Sequence, residues 1–211
     1  MKIFYHWRRI THPQSSLLFE TAYHEAGHTC FSYLSKCKVK NVSINLQRVG
    51  NGLTSPNYLE LANVVNVLFN ISSNTLSFNN LSNSEKKSIQ SVMLRLTHSL
   101  LAGPIAEARF KSLRDNQANA EVIVEHSDYR MCLEILTGLN SLFKQYNMTT
   151  IPISFLESEV NRVNDIMILD DLWIPIQEVA VAILNKKSAS LQQDEIESIL
   201  QRTGFLSFID K

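Results

Sequence analysis

Cysteine is scarce in this chain. Cys30, Cys37 and Cys132 are odd in number, and no two of them form a Cys-x-x-Cys pair. That argues against a disulfide framework and points to a reducing compartment, the cytoplasm. Net charge is missing as well. Lys and Arg number 20 and Asp and Glu number 20, a formal charge of +0, which removes the electrostatic case for nucleic acid or an anionic membrane. No run approaches the roughly 18 apolar residues that span a bilayer. The longest apolar-rich stretch, Leu61 to Ile71, is broken by Asn63, Asn66 and Asn70. Met1 to Arg9 has no long apolar stretch of the signal-peptide kind. No Gly-x-x-x-x-Gly-Lys-Ser/Thr sequence occurs, so no phosphate-binding loop of an ATPase is expected. No internal repeat is visible.

What is present is His24-Glu25-Ala26-Gly27-His28. On a helix, residues four apart project from one face, so the two imidazoles can share one Zn²⁺. Glu25 falls one residue round, beside the metal, where a carboxylate can take a proton from water. The pattern implies metal-assisted peptide hydrolysis. Ala26 and Gly27 are small, and a helical glycine costs about 1 kcal/mol relative to alanine. Gly27 therefore suggests that a neighbour approaches the backbone there. Cys30, two residues after His28, points away from the histidine face.

The chain has 211 residues, 45% hydrophobic and 19% charged, enough for one globular domain with a real core, or one domain with an appendage. Residues 1–14 read as a lead-in and 15–211 as the domain. Ser15 or Ser16 can cap a helix running to about Lys36. Val42, Ile44 and Leu46 alternate with polar residues as a strand does, and Gly50-Asn51-Gly52 is a turn signal before a second short strand. Residues 55–84 are rich in Asn and Ser and read as a surface insertion with one short helix near 58–70. Ser82-x-x-Glu85 is a capping box for a long helix, which Gly103-Pro104 should bend or restart. Residues 114–120 read as loop, and a helix follows from about Asp128 to Tyr146. Helices near 156–170, 173–186 and 191–202 complete the chain, the last capped by Ser190 and ended by Gly204. The expected fold is α+β, mainly helical, with a small sheet next to the motif helix.

A catalytic zinc site needs a third protein ligand and one open position. The extended motif with a third histidine fails, because Phe31 stands at its glycine and Leu34 at its histidine position. No acidic residue lies between His28 and Glu60. The candidates are Glu107, Asp115, Glu121, Glu125, His126 and Asp128. Glu107 also fits a partner to a ligand histidine, and His98 fits a core or surface histidine better than a ligand.

Thr21-Ala22-Tyr23-His24-Glu25-Ala26-Gly27-His28 resembles the zinc-binding helix of the FtsH-type peptidases, the protease domains of membrane-bound, ATP-dependent proteases. Lys38 to Ile44 resembles the strand that follows. Leu100 to Glu107 resembles that family's Gly-Gly-Arg-x-Ala-Glu segment, with Ala102 and Pro104 in place of a Gly and the Arg. His126-Ser127-Asp128-Tyr129 resembles the segment carrying its aspartate ligand. The last two helices follow its C-terminal pattern loosely. The resemblance spans most of the chain from residue 15, and only its first eight residues are sharp.

That resemblance implies zinc held by His24, His28 and Asp128, with Glu25 as the general base. Glu107 and His126 stay open as alternatives to Asp128. It implies a peptide or unfolded-protein substrate, held by backbone pairing along a strand at about 39–47. It also implies a homo-oligomer, since the family's protease domains form hexamers. With no ATPase module expected, activity would be ATP-independent unless an ATPase partner acts in trans. The other reading is a zinc-binding pseudo-peptidase that serves as a regulatory subunit.

Overall fold

The computed structural model describes residues 13–48, 50–56, 80–115, 126–145, 147 and 149–210. Residues 1–12 of the lead-in, the helix expected near 58–70, Glu121 and Glu125 lie outside them, and residues 13 and 14, expected in the lead-in, belong to the first helix. The described residues form a mainly helical α+β structure with one small sheet. In chain order the elements are α1 (Pro13–Leu34), β1 (Val39–Ile44), β2 (Gly52–Pro56), α2 (Asn83–Asp115), α3 (Ser127–Gln145), α4 (Ser154–Met167), α5 (Asp170–Asn185), β3 (Ser190–Gln192), α6 (Gln193–Arg202) and α7 (Phe205–Ile209). No helix among them is long and apolar enough to cross a membrane.

The motif helix α1 is central. It packs along α2 and α5 and against the sheet, so it is buried on several sides rather than along one stripe. Ala22, Ala26, Cys30 and Tyr33 face inward at helical spacing, and Tyr23 and Phe31 are buried beside them. Tyr23 stacks on Phe110 of α2 at 4.3 Å and on Trp173 of α5 at 5.5 Å between ring centroids. These contacts fix the two flanking helices against the turn that carries His24. Pro13 opens the helix, where its missing N–H costs nothing. Ser16, expected near the cap, lies inside the first turn, and its hydroxyl donates to Glu20 at 2.8 Å.

The sheet has order β2-β1-β3, with both pairs antiparallel. β1 starts and ends earlier than the alternation suggested, and Leu46 lies beyond it, exposed. The third strand was not expected. Ser190, read as a helix cap, belongs to β3, and the cap of α6 is Gln192, in a reciprocal box with Glu195. Gly204 does end that helix, at φ 78.

The capping box at the start of α2 forms as expected. Glu85 accepts from the Ser82 N–H at 2.7 Å, and Ser82 Oγ accepts from the Glu85 N–H at 3.3 Å. Gly103-Pro104 does not restart the helix; α2 runs through Pro104 to Asp115. Packing against α1 outweighs the lost hydrogen bond, because residues 101–106 are all buried.

Gly27 explains the closeness of that packing. A Cβ there would lie 2.5 Å from the Ala102 carbonyl oxygen and 2.7 Å from the Ala106 Cβ. The alanine variant would push the helices apart, and overpacking of this kind costs about 1–3 kcal/mol. Gly27→Ala should lower the urea midpoint accordingly; an unchanged midpoint would mean that the contact carries no stability.

Candidate metal centre

Four segments meet in one cleft of about 530 Å³. α1 brings His24, Glu25 and His28. α2 crosses beneath them with Ser99, Gly103 and Glu107. The start of α3 brings Asp128, and β2 brings Gly52 and Thr54. Three atoms converge. His24 Nε2 and His28 Nε2 are 2.9 Å apart, and Asp128 Oδ2 lies 3.0 and 3.2 Å from them. Ligands on a tetrahedral zinc with bonds near 2.1 Å are about 3.4 Å apart, so the triangle is the right size, slightly contracted.

The hydrogen bonds behind the imidazoles set their tautomers. His28 Nδ1 is 2.6 Å from the Ser99 carbonyl oxygen, which can only accept. His24 Nδ1 is 3.2 Å from Glu107 Oε2. Burial pushes Glu107 up, but His24 and Lys111 outweigh it and hold the carboxyl at about 2, so it too accepts. Each Nδ1 therefore carries hydrogen, which leaves each Nε2 as the inward-turned atom, able to ligate a metal once it holds no proton. Asp128 Oδ2 is buried without a hydrogen-bond partner despite its two short contacts. Its contacts with the two imidazole nitrogens are ion-pair contacts, and those nitrogens lie in hydrogen-bonding geometry with each other. A buried carboxylate oxygen beside two inward-turned imidazole nitrogens is a donor set that suits a cation.

Burial depresses the His24 imidazolium, but Asp128 and Glu107 more than offset it and raise the group to about 9. Burial raises the Asp128 carboxyl, and His24 and His28 reverse this and hold it well below the usual carboxylate range. Asp128 also sits in the first turn of α3, where the helix dipole favours its charge.

Glycine clears the space. A Cβ at Gly103 would be 2.4 Å from His28 Nε2 and 2.8 Å from His24 Nε2. Glu25 is held on the other side. Thr54 Oγ1 donates to its Oε2 at 2.6 Å, and a Cβ at Gly52 would meet its Oε1 at 2.4 Å. Sequence reasoning missed Thr54, Ser99 and the role of Gly103; a lone glycine in the middle of a helix pattern was the one available signal.

The other candidates separate. Glu107 supports His24 and is shared with Lys111 at 2.5 Å. Asp115 pairs with Arg114 at 2.6 Å, at the end of α2. Cys30 is buried in the core, and His98 pairs with the buried Glu159. His24, His126 and Asp128 also offer atoms within 4.8 Å of one another, whereas the three separations through His28 are all between 2.9 and 3.2 Å. The tighter triangle through His28 is the better donor set. The expected peptide-binding strand needs correction: β1 is paired on both sides, by β2 and β3. Among the described residues, the edge beside the cleft belongs to β2, whose Gly52, Leu53, Thr54 and Pro56 line it.

Compared with known proteins, the chain matches no family model and no curated sequence.

A raised His24 has a measurable consequence. Below about 9 the metal-free ring carries a proton that an incoming cation must displace. Zinc affinity measured against a competing chelator should therefore rise with pH, by about tenfold per unit between roughly 7.5 and 8.5. A flat profile would show that no such proton is held.

Proposed function

We propose that the protein is a zinc-dependent endopeptidase on an FtsH-type protease scaffold, hydrolysing extended peptides or unfolded proteins without ATP. The observation that carries this reading is the convergence of His24, His28 and Asp128 beside a buried, oriented Glu25. Three ligands leave one position open, which is the pattern of catalytic rather than structural zinc sites. Zinc bound there would act as a Lewis acid on the scissile carbonyl and make water acidic enough to react near neutral pH.

The chain's own groups would do the rest. The Glu25 carboxylate accepts the proton of the attacking water on the oxygen not bonded to Thr54, then delivers it to the leaving amine. The Thr54 hydroxyl keeps that carboxylate turned towards the cleft. The edge of β2 offers backbone N–H and C=O groups to an extended peptide, which would pair as an added strand. Leu17, Leu53 and Met131 line the cleft and are exposed, giving apolar walls for flanking side chains. The same reading puts the protein in the cytoplasm as a homo-oligomer, with any ATPase partner acting in trans.

Casein cleavage by zinc-loaded protein tests the reading. Glu25→Gln should keep zinc and lose activity by about 10²-fold or more. Asp128→Ala should lose most of its zinc in the same preparation, and full occupancy would remove Asp128 from the site. Cleavage by Glu25→Gln at the wild-type rate would sink the proposed base. Stoichiometric zinc with no cleavage by the wild type would turn the reading into a zinc-binding pseudo-peptidase.

A further inference from the structure

We propose that His126 is a positioning residue that locks the metal-binding aspartate in place and does not itself coordinate. The inference rests on a metal bound by His24, His28 and Asp128. His126 is the residue before α3, and two hydrogen bonds make it the helix N-cap. Its carbonyl accepts from the Arg130 N–H at 3.2 Å, and its side-chain Nδ1 accepts from the Asp128 N–H at 3.3 Å. An N-cap side chain normally comes from Ser, Thr, Asp or Asn. A histidine in that place adds a flat ring, and this ring is used. It stacks on His24 with centroids 4.7 Å apart and planes at 29°.

With Nδ1 accepting, the neutral ring carries its hydrogen on Nε2. That edge faces Glu107 Oε2 at 3.8 Å, the oxygen that orients His24. One side chain thus touches the backbone of one ligand, the face of a second and the support of that second ligand. It cannot serve as a ligand in the same pose. The Nδ1 lone pair is occupied by the Asp128 N–H, and Nε2 carries the ring's hydrogen, 3.8 Å from Glu107 Oε2. The 3.5 Å from Nδ1 to Asp128 Oδ2 follows from the cap and not from a shared ion. Asp128 has only one carboxylate oxygen in the triangle, so a shift of the first turn of α3 would remove it from reach of both imidazoles.

His126→Ala and His126→Asn separate capping from coordination. Asn restores an N-cap acceptor but is a poor zinc ligand. Zinc dissociation constants at pH 8 by chelator competition, with the absorption spectrum of the cobalt-substituted protein, give readouts that need no activity. Circular dichroism verifies that both variants fold. The Ala variant should bind zinc on the order of tenfold more weakly. The Asn variant should recover to within about threefold of wild type, with an unchanged cobalt spectrum. Equal weakening in both, with an altered cobalt spectrum, would make His126 a ligand and overturn the inference. Wild-type affinity in both would leave His126 without a role here. A wild-type protein that binds no zinc would instead overturn the proposed function, and this inference with it.

Discussion

Gly27 brings the backbone of α2 against α1, and the geometry of the cleft follows from that contact. The Ala102 carbonyl oxygen occupies the space a side chain at Gly27 would take. One turn away, the same closeness lets the Ser99 carbonyl reach His28 Nδ1. Gly103 then passes directly beneath the two Nε2 atoms. Were α2 farther away, His28 would lose its orienting acceptor and His24 would lose Glu107. Pro104 fits this arrangement: its missing N–H weakens α2 locally, but the buried helix–helix contact on both sides holds the segment straight enough to continue. Packing here decides chemistry, since two glycines fix where lone pairs point.

Charge is arranged in a chain that leads away from the cleft. Asp128 and Glu107 bracket His24, and Lys111 bridges Glu107 at 2.5 Å to Glu20 at 3.3 Å. Arg114 then holds Glu20 at 2.6 Å. Asp128, Glu107 and Glu20 thus each have a cationic neighbour, which is the condition for keeping a carboxylate ionised in a partly dry site. The cation nearest the orphan Asp128 oxygen is His24 itself, raised to about 9. In the metal-free protein this proton balances the charge, and a divalent ion would replace it. The site is therefore electrostatically prepared for a cation, which distinguishes it from a pair of surface histidines on a helix.

The elements that were legible in the sequence are those with local signals. The five residues of the motif, the capping box at Ser82 and Glu85, and the helix break at Gly204 all depend on near neighbours. The approach at Gly27 was also legible, because an internal glycine needs a reason. Long-range placements were not. β3 is three residues long and pairs with β1 across more than a hundred residues of chain, so no periodicity reveals it. Thr54 reaches Glu25 through a tertiary contact that leaves no trace in spacing. Alternation shows which residues form a strand and not which strand lies at the edge, so it does not reveal that β1 is paired on both sides. Asp128 emerged through resemblance, and its neighbours Glu107 and His126 stayed open. In space all three surround His24, and only the directions of their lone pairs tell them apart.

Those directions also bear on whether a metal here would be structural or catalytic. A structural zinc is closed by four protein ligands. Among the described residues, the fourth candidate, His126, spends its lone pair on the Asp128 N–H, and Glu107 turns to the outer nitrogen of His24. The triangle and Glu25 line the same cleft. That carboxylate is 5% exposed and gripped by Thr54, an arrangement that contributes nothing to holding an ion. Fixing a buried carboxylate in one rotamer costs free energy, through both desolvation and lost rotamer freedom. A purely structural site would gain nothing from it, whereas a proton acceptor must be held within reach of the reacting water. The constraint on Glu25, more than the ligand triangle, is what weighs towards hydrolysis.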